Sequence, residues 1–238
     1  MNLATLLRFC KVPGEDIWAN RYYLVQAHLM MAQDQGVGLN ALTNDCDMSP
    51  ICDKCAGLLV PGSATNIDPR YYGGEPFEKP EPVDEYALDA KLIGYFMEQG
   101  KPIFGVCGGL QALNVFLGGT LKKVPDVAEV HEHKIPMQMH SGEVIDYPMH
   151  KIKVEKDSFV YDVFGAQEAV VNSFHFWCID KLASGLRAVA WSEDGIIEAV
   201  EWKEKKIFAT QWHPELSYMT GDPVEHKFFE NFIRCCKG

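Results

Sequence analysis

The chain has 238 residues, of which 47% are hydrophobic, and its formal net charge is −11. That length and apolar content suffice for one large core, so a single domain over residues 1–238 is expected. The acidic balance, without a cluster of lysine or arginine, argues against a nucleic-acid partner, and no apolar run approaches the ~20 residues that span a bilayer. The start of the chain has no signal-peptide pattern, which favours a cytoplasmic protein.

The first predicted helix covers residues 20–36. Apolar side chains recur there at helical spacing, and the segment ends at a glycine, which is typical of a helix C-terminus. The residues of this apolar stripe are Tyr22, Val25, Leu29 and Ala32.

Strands and helices alternate over the next 80 or so residues. Short apolar runs bounded by turn residues predict buried strands, and longer stretches with helical spacing predict helices. The predicted strands cover residues 38–44, 56–62 and 101–106, and the predicted helices cover residues 83–100 and 108–119. This alternation predicts a parallel sheet that is wrapped by helices.

The pattern changes after Gly119, where β-rich runs are broken by turn residues. These runs cover residues 120–124, 150–154, 168–172, 186–191, 195–202 and 206–212. Residues 125–150 show no period and are predicted to form an irregular loop, while residues 223–236 predict a final helix. We therefore expect an α/β fold of the flavodoxin-like type, a mostly parallel sheet flanked by helices, with antiparallel additions in the C-terminal half.

Eight cysteines are compatible with disulfides, a zinc site, a redox pair or a set of reduced thiols. Cys52 and Cys55 form the one Cys-x-x-Cys pair, but no second pair or histidine follows at the spacing of a structural zinc site. Cys235 and Cys236 are adjacent. Reduced thiols of a cytosolic protein, with no bound metal, are the expectation.

Residues 105–109, Gly-Val-Cys-Gly-Gly, connect a predicted strand to a predicted helix. This is the form of a nucleophile elbow, in which small neighbours let the chain turn sharply and present the central side chain. The Cys107 sulfur would lie at a helix N-terminus, whose positive dipole end favours thiolate, and the Gly108 amide would be free to donate to an oxyanion. The alternative is a buried, inert cysteine in a glycine-rich turn.

A thiol nucleophile needs a base, and the base needs a group that orients it. His213 and Glu215 follow a predicted strand, which puts them at the carboxyl edge of the sheet, where the elbow also opens. The Glu215 carboxylate could hold one ring nitrogen of His213 and leave the other for the sulfur. On its own this pair could be a surface loop; with the elbow, it predicts a Cys–His–Glu triad.

A second oxyanion donor is expected at the same edge. Pro61, Gly62 and Ser63 come just after a predicted buried strand. The backbone amide of Gly62 or Ser63 could therefore face a carbonyl group held over Cys107. A simple Pro-Gly turn is the alternative.

Together these motifs resemble those of class I glutamine amidotransferases. The resemblance rests on Gly-Val-Cys-x-Gly-Leu-Gln and on Trp-His-Pro-Glu about a hundred residues later. Residues 61–76 and 170–202 are similar to the γ-glutamyl-γ-aminobutyrate hydrolase branch, whose members are free-standing hydrolases of the same fold. The match covers residues 55–218, whereas the first fifty residues fit loosely and lack the usual opening strand of that branch.

What the resemblance implies is hydrolysis of a γ-glutamyl amide through a thioester, as in polyamine catabolism, without a cofactor. Cys107 would be the nucleophile, His213 the base and Glu215 its orienting group.

Substrate contacts are also implied by the resemblance. Gln111 matches the glutamine that contacts the γ-glutamyl portion, and Ser173 and His175 match the substrate-side segment. Two departures fall beside the site. Gly108 stands where the branch usually has arginine, and Phe176-Trp177 stand where it usually has His-Gln.

Three functions stay open at this point. The first is a free-standing γ-glutamyl amide hydrolase, the second a glutaminase subunit that delivers ammonia to a separate synthetase, and the third a non-catalytic member that binds a metabolite or partner. The predicted triad argues against the third, and the lack of an attached synthetase domain favours the first. The expected partner is a small γ-glutamyl amide, with neither nucleic acid nor membrane, and assembly into a homo-oligomer is left open.

Overall fold

The computed structural model describes residues 1–10, 21–23, 26–43, 48–124, 149–216 and 223–238. Its strands are β1 (Asn2–Leu6), β2 (Arg8–Cys10), β3 (Arg21–Tyr23), β4 (Gly38–Leu42), β5 (Cys55–Val60), β6 (Ile103–Val106), β7 (Thr120–Lys123), β8 (Met149–Val154), β9 (Glu168–Asn172), β10 (Trp177–Lys181), β11 (Arg187–Ser192), β12 (Ile197–Trp202) and β13 (Ile207–Thr210). Its helices are α1 (Gln26–Asp34), α2 (Ser49–Cys52), α3 (Glu85–Glu98), α4 (Gly108–Phe116), α5 (Phe159–Phe164) and α6 (Pro223–Lys237), and short 3₁₀ helices cover Pro69–Tyr72, Lys203–Lys205 and Pro214–Leu216.

The described strands form a nine-stranded sheet with the order β4-β1-β5-β6-β13-β12-β11-β8-β9. The first five of these strands pair in parallel, and the remaining pairs are antiparallel. Numbered along the chain, the parallel strands lie in the order 2-1-3-4-5, which is the flavodoxin-like order. The predicted α/β fold with antiparallel additions in the C-terminal half is confirmed.

Side chains of the central strands alternate between two cores, because successive residues of a strand point to opposite faces. Leu58, Val60 and Ile103 face α3 and α4, whereas Leu59 and Phe104 face α1, α5 and α6. The helices therefore cover both faces of the sheet. At the carboxyl ends of the parallel strands, the connecting loops converge on one edge.

The first fifty residues contain an opening strand that the sequence did not predict. β1 lies between β4 and β5 and is parallel to both. Every residue of β1 after Asn2 is buried. Because a strand that is buried on both faces lacks alternating polarity, it carries no period that separates it from a short helix.

The predicted helix over residues 20–36 is also wrong at its start. α1 begins at Gln26, and Arg21–Tyr23 form β3, which pairs with β2. The buried positions of α1 include His28 and Met31, whereas Leu29 of the predicted stripe is 49% exposed. Ala32 of the predicted stripe is buried, so the stripe is right at that position and wrong at Leu29.

Three further differences lie in the second half. β10 pairs with β7 in a separate antiparallel sheet, and α5 forms between β8 and β9; neither was predicted. Most of the predicted irregular loop over residues 125–150 lies outside the described residues, but Met149 and His150 belong to β8.

None of the described helices combines the length and the apolar character that crossing a lipid bilayer requires.

Candidate active site

Cys107 lies between the end of β6 and the first residue of α4, at φ 51° and ψ −104°. A positive φ is unfavourable for a residue with a Cβ atom, so the surrounding structure must hold this turn in place. The Cys107 N–H donates to the Thr210 carbonyl of β13 at 2.7 Å. A Cβ on Gly109 would lie 2.2 Å from the Val60 carbonyl oxygen, so only glycine fits there. The turn thus presents the sulfur of Cys107 at the N-terminus of α4.

His213 stands beside this sulfur. It follows β13, and its Nδ1 atom is 2.7 Å from Oε1 of Glu215, whose side chain is 1% exposed. A Cβ on Gly62 would lie 2.8 Å from Cε1 of His213 and 3.6 Å from Cβ of Cys107. The loop after β5, the elbow and the segment after β13 therefore meet at one point.

The charges of this group favour an imidazolium at His213. Burial by itself would lower the pKa of His213, but the charges of Glu215 and Cys107, and hydrogen bonds with both, raise it well above 6.5. Burial would likewise raise the pKa of Glu215, but the charge of His213 and the hydrogen bond with it lower that pKa below 4.5. The Glu215 carboxylate thus contacts the His213 imidazolium, which in turn contacts the Cys107 sulfur.

The backbone of His213 is held by an asparagine that sequence analysis missed. Asn172, the last residue of β9, accepts a hydrogen bond from the His213 N–H and donates one to the His213 carbonyl, each at 2.9 Å. Two residues later, the Phe174 ring packs edge-on against the imidazole, with ring centroids 5.6 Å apart. The Phe174 carbonyl oxygen is 4.0 Å from the Cys107 sulfur.

Gln111 and Gln211 line the other side of the sulfur. The Gln211 amide nitrogen is 3.6 Å from the sulfur, and the Gln211 carbonyl oxygen of the side chain accepts a hydrogen bond from Gln111 at 3.3 Å. The Gln111 amide nitrogen also donates to the Trp177 carbonyl at 2.8 Å. Gln111 is thus brought to the site, and it is joined to the nucleophile through Gln211. Gln211 is not among the site residues that were predicted from the sequence.

Ser173 and His175 are both buried in the segment that borders the sulfur. The His175 Nδ1 atom is 3.0 Å from the Trp177 carbonyl, and its Nε2 atom is 3.7 Å from Oε1 of Glu198. His150 approaches the same carboxylate oxygen at 3.7 Å. The His175 ring therefore faces protein atoms behind the wall of the site, and a contact with substrate at this position stays a prediction.

Gly108 brings the loop after β5 close to the elbow. A Cβ at this position would lie 3.0 Å from the Ser63 nitrogen, which is tighter than an ordinary contact. As a first-turn residue of α4, Gly108 has no intrahelical acceptor for its N–H. Among the turn and loop hydrogen bonds of the described backbone, none uses the N–H of Gly62 or Ser63. The part of the chain that holds these three N–H groups thus comes close to the elbow, and their role as oxyanion donors stays a prediction.

Cys52 and Cys55 lie in the core as free thiols. The Cys55 thiol donates to the Ile51 carbonyl at 3.3 Å, and both side chains are buried. In the part of the chain that the structure describes, no three His, Cys, Asp or Glu side chains are grouped so as to hold a metal ion.

Brief treatment with iodoacetamide near neutral pH is expected to label Cys107 before the other cysteines. Cys107 stands on the elbow beside His213, the type of base that activates a thiol nucleophile. Burial raises the pKa of Cys178 to about 11 and that of Cys236 to about 12, which keeps those thiols protonated. Peptide mapping by mass spectrometry identifies the labelled residue. Preferential labelling of Cys52 or Cys55 would contradict this prediction and favour a redox pair there.

Comparison with known proteins identifies the family to which this chain belongs. Residues 10–215 match the model of the Peptidase C26 family. The chain is 34% identical to the glutamine amidotransferase-like protein YvdE of Lactococcus lactis over 229 residues, which cover 93% of this chain and 92% of that protein. It is 29% identical to the γ-glutamyl-γ-aminobutyrate hydrolase PuuD of Escherichia coli over 205 residues, which cover 83% and 78% of the two chains.

A solved structure has the same fold. The glutamine amidotransferase of Thermotoga maritima aligns with 99% of this chain and 96% of its own, with a TM-score of 0.60 and 13% sequence identity.

Proposed function

Because the chain belongs to the Peptidase C26 family, we propose that it hydrolyses a γ-glutamyl amide through a thioester on Cys107. The observation that carries the proposal is the contact of three groups at the carboxyl edge of the sheet. The Cys107 sulfur on the elbow meets His213, and Glu215 holds the far side of that imidazole at 2.7 Å. This is the arrangement that an activated thiol nucleophile requires.

In the first half of the reaction, the Cys107 thiolate attacks the γ-carbonyl carbon of the substrate. The backbone N–H groups of Gly62, Ser63 and Gly108 stabilise the negative charge that develops on the carbonyl oxygen. The His213 imidazolium gives its proton to the amide nitrogen, the C–N bond breaks, and the free amine leaves. Glutamate remains bound to the sulfur as a thioester.

In the second half, His213 is neutral and accepts a proton from water as the water oxygen attacks the thioester carbonyl. The C–S bond breaks, glutamate is released and the thiolate–imidazolium pair is restored. Glu215 keeps the imidazole oriented throughout, because its carboxylate holds Nδ1 and leaves Nε2 for the sulfur and the substrate.

The γ-glutamyl group and the amine of the substrate are expected to bind on different sides of the Cys107 sulfur. We place the γ-glutamyl group near Gln111, Ser173 and the loop at Ser63, where polar groups can meet its charges. We place the leaving amine toward Phe176, whose side chain is 54% exposed, and toward the neighbouring Trp177. The Trp177 ring packs against Phe77 with centroids 5.8 Å apart, which gives that side of the site an aromatic surface.

Amides of apolar or aromatic amines are expected to be cleaved at least as well as γ-glutamyl-γ-aminobutyrate. An aromatic wall favours an apolar group, whereas it leaves a carboxylate without a partner. A panel of γ-glutamyl amides with products identified by mass gives kcat/KM for each. Phe176→Ala should lower kcat/KM for the aromatic amides and spare the γ-aminobutyrate amide.

Lys123 provides the matched control, since its ammonium lies 5.9 Å from the centre of the Trp177 ring. A strong preference of the wild-type protein for the γ-aminobutyrate amide, lost in Lys123→Ala, would show that a cation recognises the leaving group and would overturn the prediction.

A glutaminase that serves a separate synthetase is the second candidate. It is favoured by the similarity to YvdE, which is named as a glutamine amidotransferase-like protein. Glutamine in the same panel separates the two, because a glutaminase would turn over glutamine better than any substituted γ-glutamyl amide.

A further inference from the structure

The loop at Pro61, Gly62 and Ser63 is held from behind by one buried arginine. Arg8 of β2 is 1% exposed. Its Nη2 atom donates to the Pro61 carbonyl at 2.7 Å, and its Nε atom donates to the Gly62 carbonyl at 3.2 Å. One guanidinium therefore binds two successive carbonyl groups of the loop that faces the nucleophile.

These two carbonyls determine where the neighbouring amides point. The Pro61 carbonyl shares a peptide unit with the Gly62 N–H, and the Gly62 carbonyl shares one with the Ser63 N–H. In a planar trans peptide the C=O and N–H groups point in opposite directions. When Arg8 holds both oxygens, both N–H groups are turned away from Arg8.

The side away from Arg8 is the side of the elbow. The Ser63 nitrogen lies 3.0 Å from the position that a Cβ on Gly108 would take, and the corresponding position on Gly62 is 2.8 Å from the His213 ring. The guanidinium also polarises both peptide units, because a hydrogen bond from a cation to a carbonyl oxygen makes the N–H of the same unit a stronger donor.

Two carboxylates on α3 fix the guanidinium in turn. Arg8 Nη1 is 2.7 Å from Asp89 Oδ1 and 3.9 Å from Glu85 Oε2. Glu85 also accepts hydrogen bonds from the Phe9 N–H and from the Ser63 hydroxyl, each at 2.5 Å. The same carboxylate thus binds the strand that carries Arg8 and the loop that Arg8 orients, and it does so inside the protein, where such contacts are little screened.

We propose that Arg8 is a positioning residue for the oxyanion hole, which sets the orientation of the Gly62 and Ser63 N–H groups through their peptide planes. The proposal rests on the proposed function, since it assumes that a tetrahedral oxyanion forms over Cys107. In this proposal Arg8 acts through the two peptide units that it binds. Its loss should therefore slow steps that form an oxyanion and leave the reactivity of the sulfur unchanged.

Two reagents for the Cys107 sulfur separate these effects without reference to the natural substrate. With p-nitrophenyl acetate, the sulfur attacks a carbonyl carbon, an oxyanion forms, and p-nitrophenolate leaves from an acetylated Cys107. With iodoacetamide, the sulfur displaces iodide from a saturated carbon, and no oxyanion forms. The ratio of the two rate constants at Cys107, followed by mass spectrometry, reports the oxyanion hole alone.

Arg8→Lys keeps the positive charge between the carboxylates but replaces a planar fork with a single ammonium. We expect Cys107 acylation in this variant to fall by about 10²-fold, as for the loss of one oxyanion donor, while alkylation is unchanged. In the substrate assay kcat should fall and KM should change little. Arg70→Lys is the matched control, because Arg70 pairs with Asp84 at 2.8 Å on the surface.

The fold of each variant is checked by near-UV circular dichroism and thermal unfolding. If Arg8→Lys does not fold, Arg8→Met combined with Asp89→Asn removes one charge of each sign and should show the same selective loss of acylation. Wild-type acylation in a folded variant, or a parallel loss of acylation and alkylation, would overturn the proposal. A wild-type protein that is acylated but cleaves no amide of the panel would contradict the proposed function and leave the role of Arg8 standing.

Discussion

Replacement of Cys107 with alanine is expected to abolish amide hydrolysis while the fold stays intact. Without the sulfur no thioester can form, and removal of the triad nucleophile of a serine protease costs about 10⁶-fold in kcat. The substitution removes a single buried atom from the elbow, so the effect on stability should be small. Product formation measured by mass spectrometry, with thermal unfolding alongside, gives both results.

Cys235→Ala is the control for this variant, because Cys235 is a half-buried free thiol in the last turn of α6. It should keep the wild-type rate. Turnover by the Cys107→Ala variant at the wild-type rate would exclude the elbow as the catalytic centre.

Replacement of His213 with alanine should lower kcat by about 10²–10⁴-fold, which is the usual contribution of a general acid–base group. Glu215→Gln should cost less, because Glu215 acts only through the imidazole. His226→Ala on α6 is the control in which a histidine outside the predicted triad is removed. If His213→Ala retained the parent rate, the base would have to lie elsewhere, and His175 would be the first residue to examine.

The pH profile of kcat/KM gives a second test of the roles of His213 and Glu215. The alkaline limb should reflect the loss of the His213 proton that the leaving amine needs, and it should lie well above pH 6.5 because the charges of Glu215 and Cys107 raise the pKa of His213. An anion favours the protonated imidazole, so removing the Glu215 charge lowers that pKa. Glu215→Gln should therefore move the alkaline limb to lower pH, and an unchanged or higher limb would contradict the assignment.

The parts of the site that could be predicted are those with a local pattern. Cys107 is marked by the glycines around it, and His213 and Glu215 are two residues apart at the end of a strand. Each pattern is contained in a few residues, and the parallel sheet brings them to one edge. The structure places these three side chains, and the loop at Ser63, in contact.

The supporting residues leave no comparable pattern, because their partners are distant in the sequence. Arg8 binds carbonyl groups more than fifty positions away, and Asn172 holds a residue 41 positions further on. A single arginine or asparagine in a strand has many other possible roles. Such residues are recognised only when the sheet order is known, and β1, which sets the position of Arg8, was itself missed for lack of a period.

The position of β13 bears on how the protein folds. It is the last described strand along the chain, yet it lies in the middle of the sheet, between β6 and β12. Before it is in place, the strands form two separate halves, each with an open edge that can pair with another chain. Joining them requires the pairing of β13 with β6, in which Ile207 lies opposite Ile103, and contacts so distant in sequence are slow to form. Since His213 follows β13 directly, the imidazole reaches the sulfur only when the two halves join, so the sheet and the candidate catalytic centre are completed in the same event.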